Sequence, residues 1–147
     1  MTAEVKLRRL AAGDATLQGY LGAGPFRWQS RQLTQGYIQK GTCVRTLRVA
    51  SPLAGFSHSG PSQIELVRLQ IDVLDIDADK ARTVAAAVDT FLATVSLCSP
   101  AEFDSPPTLA QQYPVFKLGQ RQGMEFELGA PVYVEILEYR LFNSTMN

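Results

Sequence analysis

The 147 residues fit one ordinary domain, long enough to bury roughly 68–70% of the surface the unfolded chain exposes, so folding requires neither disulfides nor a metal. Hydrophobic residues at 46% and charged residues at 19% exclude the disordered class. A formal net charge of zero gives no bulk pull toward nucleic acid or a membrane. Cys43 and Cys98 form no C-x-x-C pair, and each reads as a small buried hydrophobe. Arg8, Arg9, Gly13 and Asp14 break the first apolar stretch, so no signal peptide is expected. No run approaches the roughly 20 apolar residues of a membrane helix. The chain reads as soluble and made in the cytoplasm.

Leu7, Leu10 and Ala11 fall at i, i+3, i+4, and Leu17, Tyr20 and Leu21 repeat the spacing after Gly13 and a capping Asp14. This predicts a two-piece amphipathic helix over 3–20, ended by Gly22, Gly24 and Pro25. Residues 26–41 are irregular and polar and read as a short extended arm. A strand is expected over 42–50, with Cys43, Leu47 and Val49 in one phase. Residues 51–62 hold two prolines, two glycines and four serines, the chemistry of an exposed loop, with Leu53 and Phe56 as apolar anchors. The strongest strand runs over 63–76: Val67, Leu69, Ile71 and Val73 alternate with Arg68, Gln70 and Asp72. Ile64 and Leu66 fall in the opposite phase and predict a bulge or strong twist near Leu66.

The strongest helix is predicted over 77–95, where Ala81, Val84, Ala85, Val88, Leu92 and Val95 keep helical spacing. Residues 99–114 are proline-rich and read as a long loop. Residues 115–118 and 124–128 bracket Gly119-Gln120-Arg121-Gln122-Gly123 as a hairpin. The last strand, 132–142, switches phase between Ile136 and Leu137. Residues 143–147 should fray. The order is helix, strand, strand, helix, hairpin, strand. The expected class is therefore α+β: an antiparallel sheet carrying one long and one short helix, in a single domain spanning 1–147, with 98–131 as a loop and hairpin insertion.

Chemistry-bearing constellations are sparse. His58, the only histidine, sits in Ser57-His58-Ser59-Gly60, which lacks the strand–turn–helix setting of a nucleophile elbow and reads as a solvated loop residue. Asp75, Asp77 and Asp79 resemble the start of a calcium loop. Lys80 stands where glycine is needed and Ala86 where the bidentate glutamate is needed, so helix capping is the simpler role. Gly19, Gly22 and Gly24 follow a helix rather than opening one and cannot aim amides at a phosphate. Asp72 with Glu135 or Glu138 could pair across strands, but alternation on a solvent face explains them more simply. Trp28 between Arg27 and Arg31 is too small a cluster for a single-strand nucleic-acid platform and fits an anchor in a pocket or interface. No catalytic, cofactor or metal site is expected, and the chain does not read as an enzyme.

Residues 1–50 hold eight basic and two acidic side chains, and 51–147 hold six basic and twelve acidic ones. Scatter on a solvated surface accounts for that split; so do unlike flanks that attract in a ring of identical chains.

Four pieces carry a family resemblance: the short N-terminal helix with its break and Gly22-Ala23-Gly24-Pro25-Phe26-Arg27; Gln35-Gly36 before a strand; the segment Val67 to Val73 running into the acidic-capped, alanine-rich helix 79–91; and the closing strand 132–142. Together they resemble the tail terminator, or tail completion, proteins of long-tailed bacteriophages, over roughly 5–95 and 130–142. The sequence departs from the family at Lys40-Gly41-Thr42, where a proline usually precedes the first strand, and in the length of 98–131.

The resemblance implies a virion structural protein without enzymatic activity or cofactor. It implies a ring, typically hexameric, at the head-proximal end of the tail tube, assembled in the host cytoplasm. Its partners would be copies of itself, the tail tube protein and the head-completion or connector protein, with DNA passing through the lumen without sequence-specific contact and no membrane involved. Trp28, Arg31, Arg45, Leu53, Phe56, Phe103, Tyr113 and Arg121 are the candidate interface residues. Another neck, minor tail or head-completion protein shares this assembly logic. A small-molecule-binding α+β domain is the competing class and requires a pocket with convergent polar groups.

Overall fold

The computed structural model describes residues 2–29, 41–57, 60–95, 97, 115–127 and 130–144; of 50–57, 60–64, 127, 130 and 144 it describes the backbone. The N-terminal helix is broken where glycine and aspartate predict. Helix α1 spans Ala3–Ala12 and α2 spans Ala15–Leu21, with the Asp14 side chain accepting from the Leu17 amide at 3.0 Å. Gly22 closes α2 at φ +90°, and an added Cβ there would lie 3.0 Å from the Pro25 carbonyl oxygen, so glycine is required. Helix α3 spans Ala78–Leu92, and Asp77 caps it by accepting from the amides of Asp79 and Lys80. Ala81, Val84, Ala85, Val88, Leu92 and Val95 are all buried, as their spacing predicts.

Five strands form one sheet in the order β1-β2-β3-β5-β4. They are β1 (Trp28–Gln29), β2 (Cys43–Ser57), β3 (Gly60–Asp75), β4 (Phe116–Glu127) and β5 (Ala130–Ser144). All pairings are antiparallel except the parallel contact of β1 with Val44 and Arg45 of β2. The class is α+β, with the three helices on one face: Val67, Leu69, Ile71, Val73, Leu137, Tyr139 and Leu141 share the main core with residues of all three.

The structure overturns some sequence expectations and refines others. Residues 51–62 are not an open loop, because β2 continues to Ser57 and β3 begins at Gly60. Pro52 is tolerated because it falls inside one of the register shifts of β2, where a ladder bond is already lost. The irregularity expected near Leu66 lies in the pairing with β2: β2 carries extra residues between Arg48 and Ala50 and between Ala50 and Leu53, and β3 carries them between Glu65 and Pro61, while β3 pairs with β5 without interruption from Ile64↔Ser144 to Asp75↔Tyr133. Gly119 to Gly123 is not a turn; β4 runs straight through it, and its hairpin partner is β5.

The phase switch expected in β5 reflects burial on both faces. Leu137, Tyr139 and Leu141 face the helices, while Val132, Val134 and Ile136 face the other way and meet Cys43 and Leu74 in a second apolar cluster. Both faces of the sheet are buried at this end, so both phases read as apolar. The strand pairing of Trp28 was invisible in the arm 26–41. The expected loop 99–114, together with His58 and Cys98, lies outside the described residues.

Leu69 is fully buried at the centre of β3. Leu69→Ala is expected to cost about 2–5 kcal/mol, and Asp77→Ala about 1 kcal/mol through loss of the α3 cap. Urea unfolding followed by circular dichroism measures both, and the smaller loss should belong to the cap.

Candidate interaction surface

The sheet face away from the helices carries the densest polar chemistry of the described chain. Register dictates its membership: on that face Arg45 sits opposite Asp72, Gln70 opposite Glu138, and Arg68 opposite Arg140. Arg45 donates to Asp72 Oδ2 from Nε at 3.0 Å and from Nη2 at 2.7 Å, and Gln70 donates to Asp72 Oδ1 at 2.8 Å. Asp72 is 1% exposed, so these donors replace its lost water. Arg68 and Arg121 each donate to Glu138, at 2.7 and 2.9 Å, and Arg140 lies 5.2 Å from the Phe116 ring centroid. Each carboxylate here is matched to a guanidinium. Asp72 does not approach Glu135, which projects from the helix face, and Glu138 is taken by its own arginines.

Arg45 also donates to Glu125 on β4 at 3.0 Å. Two strands, β3 and β5, lie between them, and a flat sheet would hold β2 and β4 about 14 Å apart. The contact closes because the twisted sheet coils toward this face. On this same face Cys43, Leu74, Val132 and Val134 form a buried apolar cluster that includes no residue of the three described helices. Burial opposes the charge on Arg45, but the bonds from Asp72 and Glu125 outweigh it and hold its pKa above the usual value.

On the helix face, a groove of about 310 Å³ lies between the start of α3 and the β4–β5 hairpin, lined by Ala78, Arg82, Gln122, Met124, Tyr133 and Glu135 among others. Glu135 is 3% exposed; it accepts from Gln120 and Gln122 at 3.0 Å each, and Arg82 lies 3.9 Å away. Its oxygens are thus committed to neighbouring side chains. Beside α3, Asp89 accepts from Lys117 at 2.6 Å and from the Tyr139 hydroxyl. Burial first, then the bond to Asp89, pushes the Tyr139 phenol far above its usual range.

The basic residues of the first fifty positions largely serve the chain itself. Arg8 donates to the Trp28 carbonyl at 2.6 Å, Arg27 to the carbonyls of Gly41 and Thr42 at 3.1 Å, and Lys6 to that of Leu97 at 3.4 Å. Arg48 donates twice to Glu4, at 2.9 and 3.0 Å. The charge split along the sequence is in good part an internal pairing.

Of the sequence-named interface residues, Trp28 is fully buried. It stacks on Phe26 and donates from Nε1 to Thr46 Oγ1 at 2.7 Å, so it is a core residue. Arg45 is 15% exposed within the ion-pair network, and Arg121 stands on β4 at 60% exposure. Leu53 and Phe56 lie on β2, where only the backbone is described; Arg31, Phe103 and Tyr113 lie outside the described residues. Sequence reasoning missed Met124, Phe126 and Tyr133, large apolar side chains left exposed on the β4–β5 hairpin. Alternation in Met124-Glu125-Phe126-Glu127 was the available signal, obscured by reading a turn just before it. Among the described residues no cluster of three potential metal ligands occurs, and no helix is long and apolar enough to cross a membrane.

Asp72→Ala is expected to cost about 3 kcal/mol by leaving Arg45 short of its buried partner, whereas Arg45→Met with Asp72→Leu should stay within about 1 kcal/mol of the parent; chemical denaturation measures both. The Arg48 bonds hold Glu4 below the usual carboxylate value of 4.5 despite the opposing effect of burial. A depressed folded pKa stabilises above 4.5, and that contribution disappears as pH falls through the folded value. Glu4→Gln should therefore flatten part of the acid limb of a melting-temperature profile between pH 5 and 2 (roughly the span of such a titration) and change little at pH 7 beyond a constant offset.

No family model matches the chain, and no curated protein matches its sequence. A solved chain from the virion of a native gene transfer agent (GTA) particle shares the fold, with a TM-score of 0.61 at 14% identity, over 95% of this chain and 93% of that one. At that identity the likeness establishes a common fold across almost the whole of both chains.

Proposed function

We propose that the chain is a non-enzymatic structural subunit of a phage-like particle. Within it, we place the chain in a ring, hexameric in the related phage proteins, that caps the head-proximal end of the tail tube. The ring ends tube polymerisation and docks the tail to the head connector. The observation that carries this reading is the fold shared from end to end with a chain of a gene transfer agent virion. It agrees with the independent resemblance of the sequence to phage tail terminators.

The surface chemistry supports the same reading. Buried charges on the outer sheet face are paired with one another, which stiffens the sheet rather than leaving a reactive group free. The groove at the start of α3 is the feature a ligand-binding domain would use, but the carboxylate within it is already bonded to Gln120 and Gln122. Another position in the neck would use the same surfaces on different neighbours.

Cryo-electron microscopy of assembled particles tests the proposal. A ring of density fitted by this fold between tube and connector is expected. Particles lacking the chain should carry tubes of uncontrolled length that fail to join filled heads. Normal tubes joined to heads in its absence would rule the role out.

A further inference from the structure

Of the nine exposed large apolar side chains among the described residues, seven lie at two flanks of the sheet, while Tyr20 on α2 and Ile76 before α3 lie elsewhere. Four stand on β4 (Phe116, Leu118, Met124 and Phe126), with Phe126 at 70% and Met124 at 55% exposure, and Tyr133 is directly paired with Met124. On the other flank are Val5 and Val49, whose neighbours Glu4 and Arg48 are bonded at 2.9 Å and so bring α1 against β2. A two-fold dimer needs one self-complementary patch. Two different patches on opposite flanks suit a head-to-tail contact between identical chains.

The backbone makes the same point. β4 is the last strand in the sheet, and among the described residues nothing pairs with its outer edge. From Gln120 to Glu127 β4 pairs with β5 without a register shift and itself carries no proline. Proteins that stay monomeric blunt such an edge; here the bulge at Leu118 and Lys117 blunt the far end, and of the charges within the segment Arg121 and Glu125 are bonded to Glu138 and Arg45 of the same chain. At the opposite side, β1 pairs with β2 only at Val44 and Arg45, so from Thr46 onward the outer edge of β2 has no strand partner among the described residues.

Direction matches as well. Strands β2, β3, β5 and β4 alternate in direction, so β4 of one copy and β2 of an equally oriented second copy run antiparallel. Neither copy must be turned over for the ladder to continue. The two bulges of β2 bend that edge, and a bend at each contact turns successive copies through an angle, as closure of a ring demands.

We propose that the outer edge of β4, over Gln120–Glu127 with Met124 and Phe126, docks on the β2 flank of a second copy at Thr46, Val49 and Val5, so that the sheet continues from chain to chain. The inference rests on the ring reading and names the surfaces that form it.

The test uses two double variants of the full chain, Met124→Lys with Phe126→Asp and Val5→Lys with Val49→Asp. All four positions are exposed, and circular dichroism with thermal melting confirms that each variant folds. Sedimentation velocity at high concentration then gives the assembly state. The wild type should form closed rings, and each variant alone should be monomeric, with association weakened about 30-fold or more, as for loss of buried anchors. An equimolar mixture should give dimers and stop there, because each variant keeps one intact flank and only one intact contact can form. Rings from either variant alone, or a mixture that stays monomeric, would overturn the edge contact. A wild type that is monomeric at high concentration overturns it too. The position in the particle is judged separately, from density in assembled particles, so a ring there built through other surfaces would remove this contact and leave the functional reading standing.

Discussion

β3 and β5 pair through twelve consecutive residues without a shift in register, from Ile64↔Ser144 to Asp75↔Tyr133. Every other element is placed by that ribbon. One face presents Val67, Leu69, Ile71, Val73, Leu137, Tyr139 and Leu141, and the three helices bury it. The other presents Leu74, Val134 and Ile136 beside Asp72 and Glu138. A one-residue slip would exchange the two faces and drive Asp72 and Arg68 beneath the helices. Register is therefore held from both sides at once.

The second face explains how so small a sheet keeps charges out of water. Asp72 is buried because Arg45 and Gln70 supply its hydrogen bonds, and Arg45 is held because Glu125 reaches it from across the coiled sheet. An ion pair of this kind adds little net stability relative to apolar residues of the same size, but it is costly to break by halves. Its effect is to fix curvature: β2 and β4 must bend toward one another for the three side chains to meet. Curvature in turn sets the angle between the outer edges of β2 and β4.

Internal pairing also changes the meaning of the charge distribution. Basic residues clustered in the first third of the chain suggested attraction between neighbouring copies. Lys6, Arg8, Arg27, Arg45 and Arg48 instead tie the N-terminal segments to the sheet. Among the described residues, the outer edges of β2 and β4 keep exposed apolar side chains and backbone without a strand partner, and a contact made through these is less sensitive to salt than one made through ion pairs.

The sequence alone determined the elements whose signals are local. Asp14 and Asp77 mark helix starts, Gly13 and Gly22 mark breaks, and the spacing from Ala81 to Val95 names the buried face of α3; capping and periodicity act within a few residues, so no tertiary knowledge is needed. The α+β class follows from their order. Only the tertiary structure decided where apolar residues of the opposite phase in β5 go, which pairing carries the irregularity near Leu66, and that Gly119–Gly123 belongs to a strand. Those outcomes depend on which strand lies alongside and on how the sheet coils. Trp28 shows the limit most clearly. One tryptophan between two arginines reads as an anchor in a pocket or interface, yet it is core, because Thr46, eighteen residues away on the adjoining strand, accepts its indole hydrogen.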